Sequence, residues 1–142
     1  MIKTRYFKVP GEPHPKGRPR ASLRNGVPVI YTPKSTSEYE EYVRGCYQNQ
    51  VFSEMIPAGI PLCMTVMCKL KIPESTTKKT KDMMLKGFIK PTKRPDIDNI
   101  LKAVMDALNG VAYHDDAQIQ VSTIGKHYGD DPCLEVWISE AE

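Results

Sequence analysis

The sequence predicts an α/β domain of the α+β kind, a single unit with one mixed β-sheet and helices packed against it. Three observations carry this. Residues 61–72 alternate, with Leu62, Met64, Val66, Cys68, Leu70 and Ile72 on one side and Cys63, Thr65, Met67, Lys69 and Lys71 on the other. That is the period of a strand with one buried face. Ile97, Ile100, Leu101, Val104 and Leu108 instead recur at i, i+3, i+4, i+7 and i+11, the stripe of an amphipathic helix. Strand-like segments come first and last with helical ones between, which suits helices laid on a sheet. A chain of 142 residues can bury such a core as one domain, residues 1–142, without disulfides or a structural metal.

Taken in order, Thr4 to Val9 reads as a first strand ended by Pro10-Gly11. Pro13 to Arg20 is broken by proline and glycine and suits only an exposed basic loop. Val27 to Tyr31 reads as a short strand. Ser35-Thr36-Ser37-Glu38 has the spacing of a capping box and opens a helix to about residue 50, with Tyr39, Tyr42, Val43, Cys46, Tyr47 and Gln50 along one face. Thr76 to Gly87 is expected as a short Lys-rich helix with Met83, Met84 and Leu85 inward. Lys86 to Arg94 is then an exposed basic connection. Pro95 disfavours helical geometry at Arg94, so the main helix should start just beyond it with Asp96 as N-cap, its carboxylate accepting a first-turn N–H. Asn109-Gly110 supplies the stop, both residues tolerating left-handed geometry. Gln118 to Tyr128 and Cys133 to Ile138 read as strands joined by Gly129-Asp130-Asp131-Pro132 in an antiparallel hairpin.

Charge is modest in total, +3, but unevenly placed. Residues 1–34 hold eight Lys/Arg against Glu12 alone, and residues 69–94 hold nine against Glu74 and Asp82. Residues 115–142 reverse this, with seven acids against Lys126. Two basic segments beside an acidic one point to a polyanionic partner. Cys46, Cys63, Cys68 and Cys133 show no C-x-x-C spacing, which predicts reduced thiols, no zinc site and a cytoplasmic protein. No apolar run reaches the ~20 residues of a membrane span, so no membrane partner is expected.

Chemistry concentrates in two acidic spots. Asp96 and Asp98 stand two apart at a helix start, and Asp115 and Asp116 lie just before the strand that begins near Gln118. If that strand lies beside the helix start, three or four carboxylates converge and repel unless a cation binds. Mg²⁺ takes such oxygen ligands together with water and phosphate. It can activate water against a phosphodiester. Lys102, one turn after Asp98, would stand near the same centre and could stabilise charge on the phosphate. Taken singly, each feature is also a cap, a turn or a surface ion pair. Metal-dependent phosphodiester cleavage accounts for the acids and the basic segments together.

The strings Arg94-Pro95-Asp96-Ile97-Asp98-Asn99-Ile100-Leu101-Lys102, Met105-Asp106-Ala107-Leu108-Asn109-Gly110 and His114-Asp115-Asp116-Ala117-Gln118-Ile119 resemble the RusA family of Holliday junction resolvases. The opening Pro15-Lys16-Gly17-Arg18-Pro19-Arg20 resembles its prophage branch. The resemblance implies a homodimeric, Mg²⁺-dependent endonuclease that resolves four-way DNA junctions by paired symmetric nicks in recombination and repair. It makes Asp96, Asp98 and Asp116 the metal-binding catalytic carboxylates and Lys102 the essential cation, with Asn99, Asp106 and Asp115 in supporting positions. Lys16, Arg18, Arg20, Arg24, Lys90, Lys93 and Arg94 would then bind DNA phosphates without reading sequence. A non-catalytic module that only binds branched DNA is the alternative, and it differs in showing no Mg²⁺-dependent products.

Overall fold

The alternating segment at 61–72 forms the central strand β4 (Leu62–Lys71), flanked on both sides by other strands. The structure, a computed structural model, describes residues 1–13, 20–31 and 34–142, of which Arg20–Arg24, Val27–Tyr31 and Lys34 are described by backbone alone. Three further strands, β1 (Arg5–Pro10), β5 (Ile119–Gly129) and β6 (Cys133–Glu140), complete a sheet of order β1-β6-β4-β5. β6 runs antiparallel to both β1 and β4, whereas β5 runs parallel to β4, so the sheet is mixed.

This order corrects the expected hairpin. The turn at Gly129–Pro132 does reverse the chain, but β5 and β6 lie on opposite edges of β4 and do not pair. The link Asp130–Pro132 must therefore cross two inter-strand gaps, about 10 Å. Four Cα steps of ~3.8 Å cover that. A turn signal reports reversal only, and what fills the space between the strands is decided by long-range packing.

Helices α1 (Lys34–Gln50) and α3 (Ile97–Leu108) pack against each other over one face of the sheet. The core between them includes Phe7, Val9, Met64, Val66, Val136 and Ile138 from the sheet, with Val43, Ile100, Val104 and Leu108 from the helices. Gln50 at the end of α1 also seals the outer edge of β1. Its amide accepts from Lys8 N–H at 2.9 Å and donates to Lys8 C=O at 2.7 Å.

Several expectations shift at the level of faces. Helix α2 (Lys78–Leu85) buries none of its residues, so Met83 and Leu85 do not point inward and Met84 is only half-buried. The helix is short and peripheral, beside β5 rather than over the sheet. Ile97 is 42% exposed because it sits in the first turn of α3, and Ala103 and Ala107 take the inner contacts instead. Tyr42 is likewise exposed, its hydroxyl donating to Pro10 C=O at 2.8 Å. Since α1 already begins at Lys34, Ser35 lies inside the helix rather than at its cap.

A second, two-stranded sheet joins β2 (Arg20–Arg24) to β3 (Val27–Tyr31). Its turn is Asn25-Gly26, with φ of 52° and 77°, the left-handed pair that two-residue hairpins need. The expected strand at 27–31 is present. Its partner had a signal too, the Asn-Gly dipeptide before an apolar run.

Candidate active site

The connection after α2 leaves Lys90, Lys93 and Arg94 exposed, with Pro91 buried as its foothold. α3 then starts at Ile97 with Asp96 at the N-cap position in extended geometry (φ −75°, ψ 141°), but the Asp96 carboxylate makes no cap hydrogen bond. That differs from the expected cap. The helix start is held instead by main chain, Ile100 N–H donating to Asp96 C=O at 3.2 Å. Asp96 and Asp98 therefore sit as exposed carboxylates on the first turn, where the helix dipole favours negative charge. Asn99, next to them, is half-buried.

One helical turn further on, Lys102 meets two carboxylates at once. Its ammonium lies 2.9 Å from Asp106 Oδ1 and 3.0 Å from Asp116 Oδ2. The Asp106 contact follows from i, i+4 spacing, while the Asp116 contact joins α3 to the single 3-10 turn Asp116–Gln118 ahead of β5. Both carboxylates are mostly shielded, their side chains 17% and 21% exposed.

The segment carrying Asp116 is fastened at several points. Gly110 takes the left-handed conformation (φ 74°) that ends α3, while Asn109 does not, at φ −58°. Asn109 uses its side chain instead, Oδ1 accepting from Asp116 N–H at 2.8 Å. Tyr113 is fully buried beneath this loop and donates its hydroxyl to Met105 C=O at 2.8 Å. Gln118 Oε1 accepts from His114 N–H at 2.9 Å, and its amide nitrogen donates to Pro57 and Ile60 C=O at 3.0 and 3.2 Å. Asn109, Tyr113 and Gln118 are thus site-building residues: they stand within the motif strings, but sequence reasoning assigned them no role in the site. Asn109 suits a helix stop and also lies on the polar face of α3 with Asp98, Lys102 and Asp106, and nothing local says that its side chain will hold Asp116.

The electrostatics agree with the contacts. The Asp106 carboxylate, and after it Asp116, hold the Lys102 ammonium above its ordinary value. Burial alone would push the Asp116 carboxyl up, but the hydrogen-bonded Lys102 ammonium outweighs it and leaves Asp116 below the usual carboxylate range. Burial, then the negative field of Asp116, keeps the Tyr113 phenol neutral well past ordinary tyrosine.

The structure therefore brings together Lys102, Asp106 and Asp116, with Asp115 beside them, and places Asp96 and Asp98 at the open end of the same helix. Among the described residues, no three His, Cys, Asp or Glu side chains stand in metal-holding proximity. The donor chemistry does suit a hard divalent cation, since Asp96, Asp98 and Asp116 offer only carboxylate oxygens and Asp116 is held in its charged form. Arg20 and Arg24 lie at the two ends of β2, paired with Tyr31 and Val27. Lys16 and Arg18 lie outside the described residues. All four cysteines are free thiols, and no helix among the described residues is long and apolar enough to cross a membrane.

Carboxylates flanking a lysine, beside a run of exposed cations, are groups suited to hydrolysing a phosphodiester. Residues 10–139 match the family Endodeoxyribonuclease RusA, and the chain belongs to that family. Its class is accordingly a DNA-cutting nuclease, in a family that acts on branched DNA junctions and generally depends on a divalent metal. The chain is also 39% identical over 136 residues, 94% of each chain, to a Bacillus subtilis (strain 168) protein described as Uncharacterized protein YqaN.

Proposed function

We propose that this protein is a Mg²⁺-dependent resolvase that acts as a homodimer in recombination and repair, cutting four-way DNA junctions by paired symmetric nicks. The observation that carries the reading is the Lys102 ammonium held between Asp106 and Asp116, one turn along α3 from Asp98. Asp96, Asp98 and Asp116 would hold the ion. When bound, Mg²⁺ would supply Lewis-acid stabilisation of the phosphate and a more acidic water.

The remaining work falls to side chains. Lys102 can donate an N–H hydrogen bond to a phosphate oxygen as negative charge builds there, an effect worth about 10²–10³ in rate where the donor is preorganised. Asp106 keeps that ammonium aimed and charged. Asp115 borders Asp116 at the start of its turn, and Asn99 supports the first turn of α3. Lys90, Lys93 and Arg94, with the basic residues Lys16, Arg18, Arg20 and Arg24, grip backbone phosphates, so affinity should fall steeply with salt. In the net reaction a water oxygen bonds to phosphorus and a strand oxygen leaves, giving one phosphate end and one hydroxyl end. A two-fold dimer would set two such sites on opposite strands of a two-fold junction.

The deciding experiment is cleavage of a synthetic four-way junction with Mg²⁺ or EDTA, run beside Asp116→Asn. Paired symmetric nicks that vanish in EDTA and in the variant are expected. A wild-type protein that binds the junction but yields no product with Mg²⁺ would sink the proposal in favour of a binding module.

A further inference from the structure

Lys126 is the lone Lys or Arg of the acidic C-terminal stretch 115–142, and among the described residues its hydrogen bonds go to main chain rather than to a carboxylate. It pairs across the sheet with Cys68, which is fully buried, so its side chain leaves β5 on the helix-covered face. Ile124 and Tyr128, two residues to either side on that face, pack against the core. An ammonium there requires hydrogen-bond partners, and it finds main chain: Lys126 Nζ donates to Lys93 C=O at 2.6 Å and to Pro95 C=O at 3.0 Å.

Those two carbonyls bracket Arg94, and the second immediately precedes Asp96. Lys93, Arg94 and Asp96 are all exposed, so water could satisfy this stretch of chain without help. The bonds from Lys126 are therefore not needed to solvate the loop. What they do is fix its path where it turns into α3, using the sheet as the fixed support. Two charge-assisted bonds on alternate carbonyls restrain the main chain that sets where the Asp96 and Asp98 carboxylates begin.

We infer that Lys126 is a positioning residue of the active site. It ties the Lys93–Pro95 main chain to β5 and so holds the carboxylates of Asp96 and Asp98 in place for cutting. The site then depends on two lysines with separate tasks. Lys102 meets Asp116 from α3, and Lys126 sets the helix start from beneath. The catalytic part of this inference rests on the resolvase reading above; the tie itself does not.

The test compares wild type with Lys126→Met, which keeps the aliphatic stem, and Lys126→Arg, which restores a donor. Hydrogen exchange read by mass spectrometry, without metal or DNA, should show residues 93–99 exchanging several-fold faster in Lys126→Met and regaining protection in Lys126→Arg. In junction cutting, Lys126→Met should lower kcat about 10- to 100-fold, as outer-shell supports of metal sites do. It should also raise the Mg²⁺ concentration needed for half-maximal rate, while junction affinity in EDTA stays within about threefold. Cutting should recover in Lys126→Arg. Unchanged exchange at 93–99 overturns the tie. Faster exchange with unchanged kcat and Mg²⁺ demand overturns the positioning role. If wild type cuts no junction, the resolvase reading fails separately, and exchange at 93–99 alone upholds or overturns the tie.

Discussion

Asp116 and Asp98 carry the same functional group toward the same proposed task, yet the protein builds their surroundings differently. Asp116 has its N–H bonded to Asn109 and its carboxylate to Lys102, on a segment pinned by Tyr113 and Gln118. Asp98, with Asp96, stands exposed on the first turn of a helix. One half of the site is preorganised by the protein's own cation. The other half lies on an exposed helix turn.

The comparison breaks most sharply at the carboxylates. Asp116→Asn and Asp98→Asn should each lower junction cutting at least ~100-fold. Only Asp116→Asn should also lower the melting temperature appreciably, because it deprives Lys102 of a shielded partner. Equal melting shifts for the two variants would remove the distinction between the two halves.

Lys102→Met comes next. It leaves Asp106 and Asp116 facing each other without the ammonium between them, so cutting should fall ~10²–10³-fold together with a clear loss of thermal stability. A variant that melts like wild type would mean the two contacts contribute nothing to the fold.

Asn109→Ala should have a smaller effect, ~1–2 kcal/mol from leaving the half-buried Asp116 N–H without its acceptor. Chemical denaturation measures it directly. Cutting should drop less than in Lys102→Met, since the ammonium contact remains.

The least effect is expected far from the site, at Tyr6. Its hydroxyl donates to Glu135 at 2.7 Å, and this bond chiefly holds the Glu135 carboxyl below its ordinary range, with Lys69 helping. A depressed carboxyl contributes stability above its unfolded pKa, about 4.3, and loses it as pH falls through the lower folded value. Tyr6→Phe should therefore cost under about 1 kcal/mol at pH 7, with the difference from wild type shrinking as pH drops below ~4. Cutting should be unchanged.

Much of this molecule is written in local pattern. Alternation at 62–72 marks β4, and the 3.6-residue stripe after Pro95 marks α3, because burial on one face demands those periods whatever the rest of the chain does. The pairing of Lys102 with Asp106 follows from helix geometry alone. Family membership was also legible, in the strings around Asp96, Lys102 and Asp116.

Other features are settled only in three dimensions. Nothing near residues 129–132 states that β4 will stand between β5 and β6, since strand neighbours are chosen by which edges remain open in the assembled sheet. Asp96 is an ordinary cap by position, and only the fold shows its carboxylate unused for that purpose. The string that includes Asn109 does not say what its side chain will bond, and Lys126 carries no motif. Their importance comes from contacts with Asp116, seven residues away, and with Pro95, thirty-one residues away. A side chain's partner across such distances is set by how the strand and helix pack, and that packing is a property of the whole core.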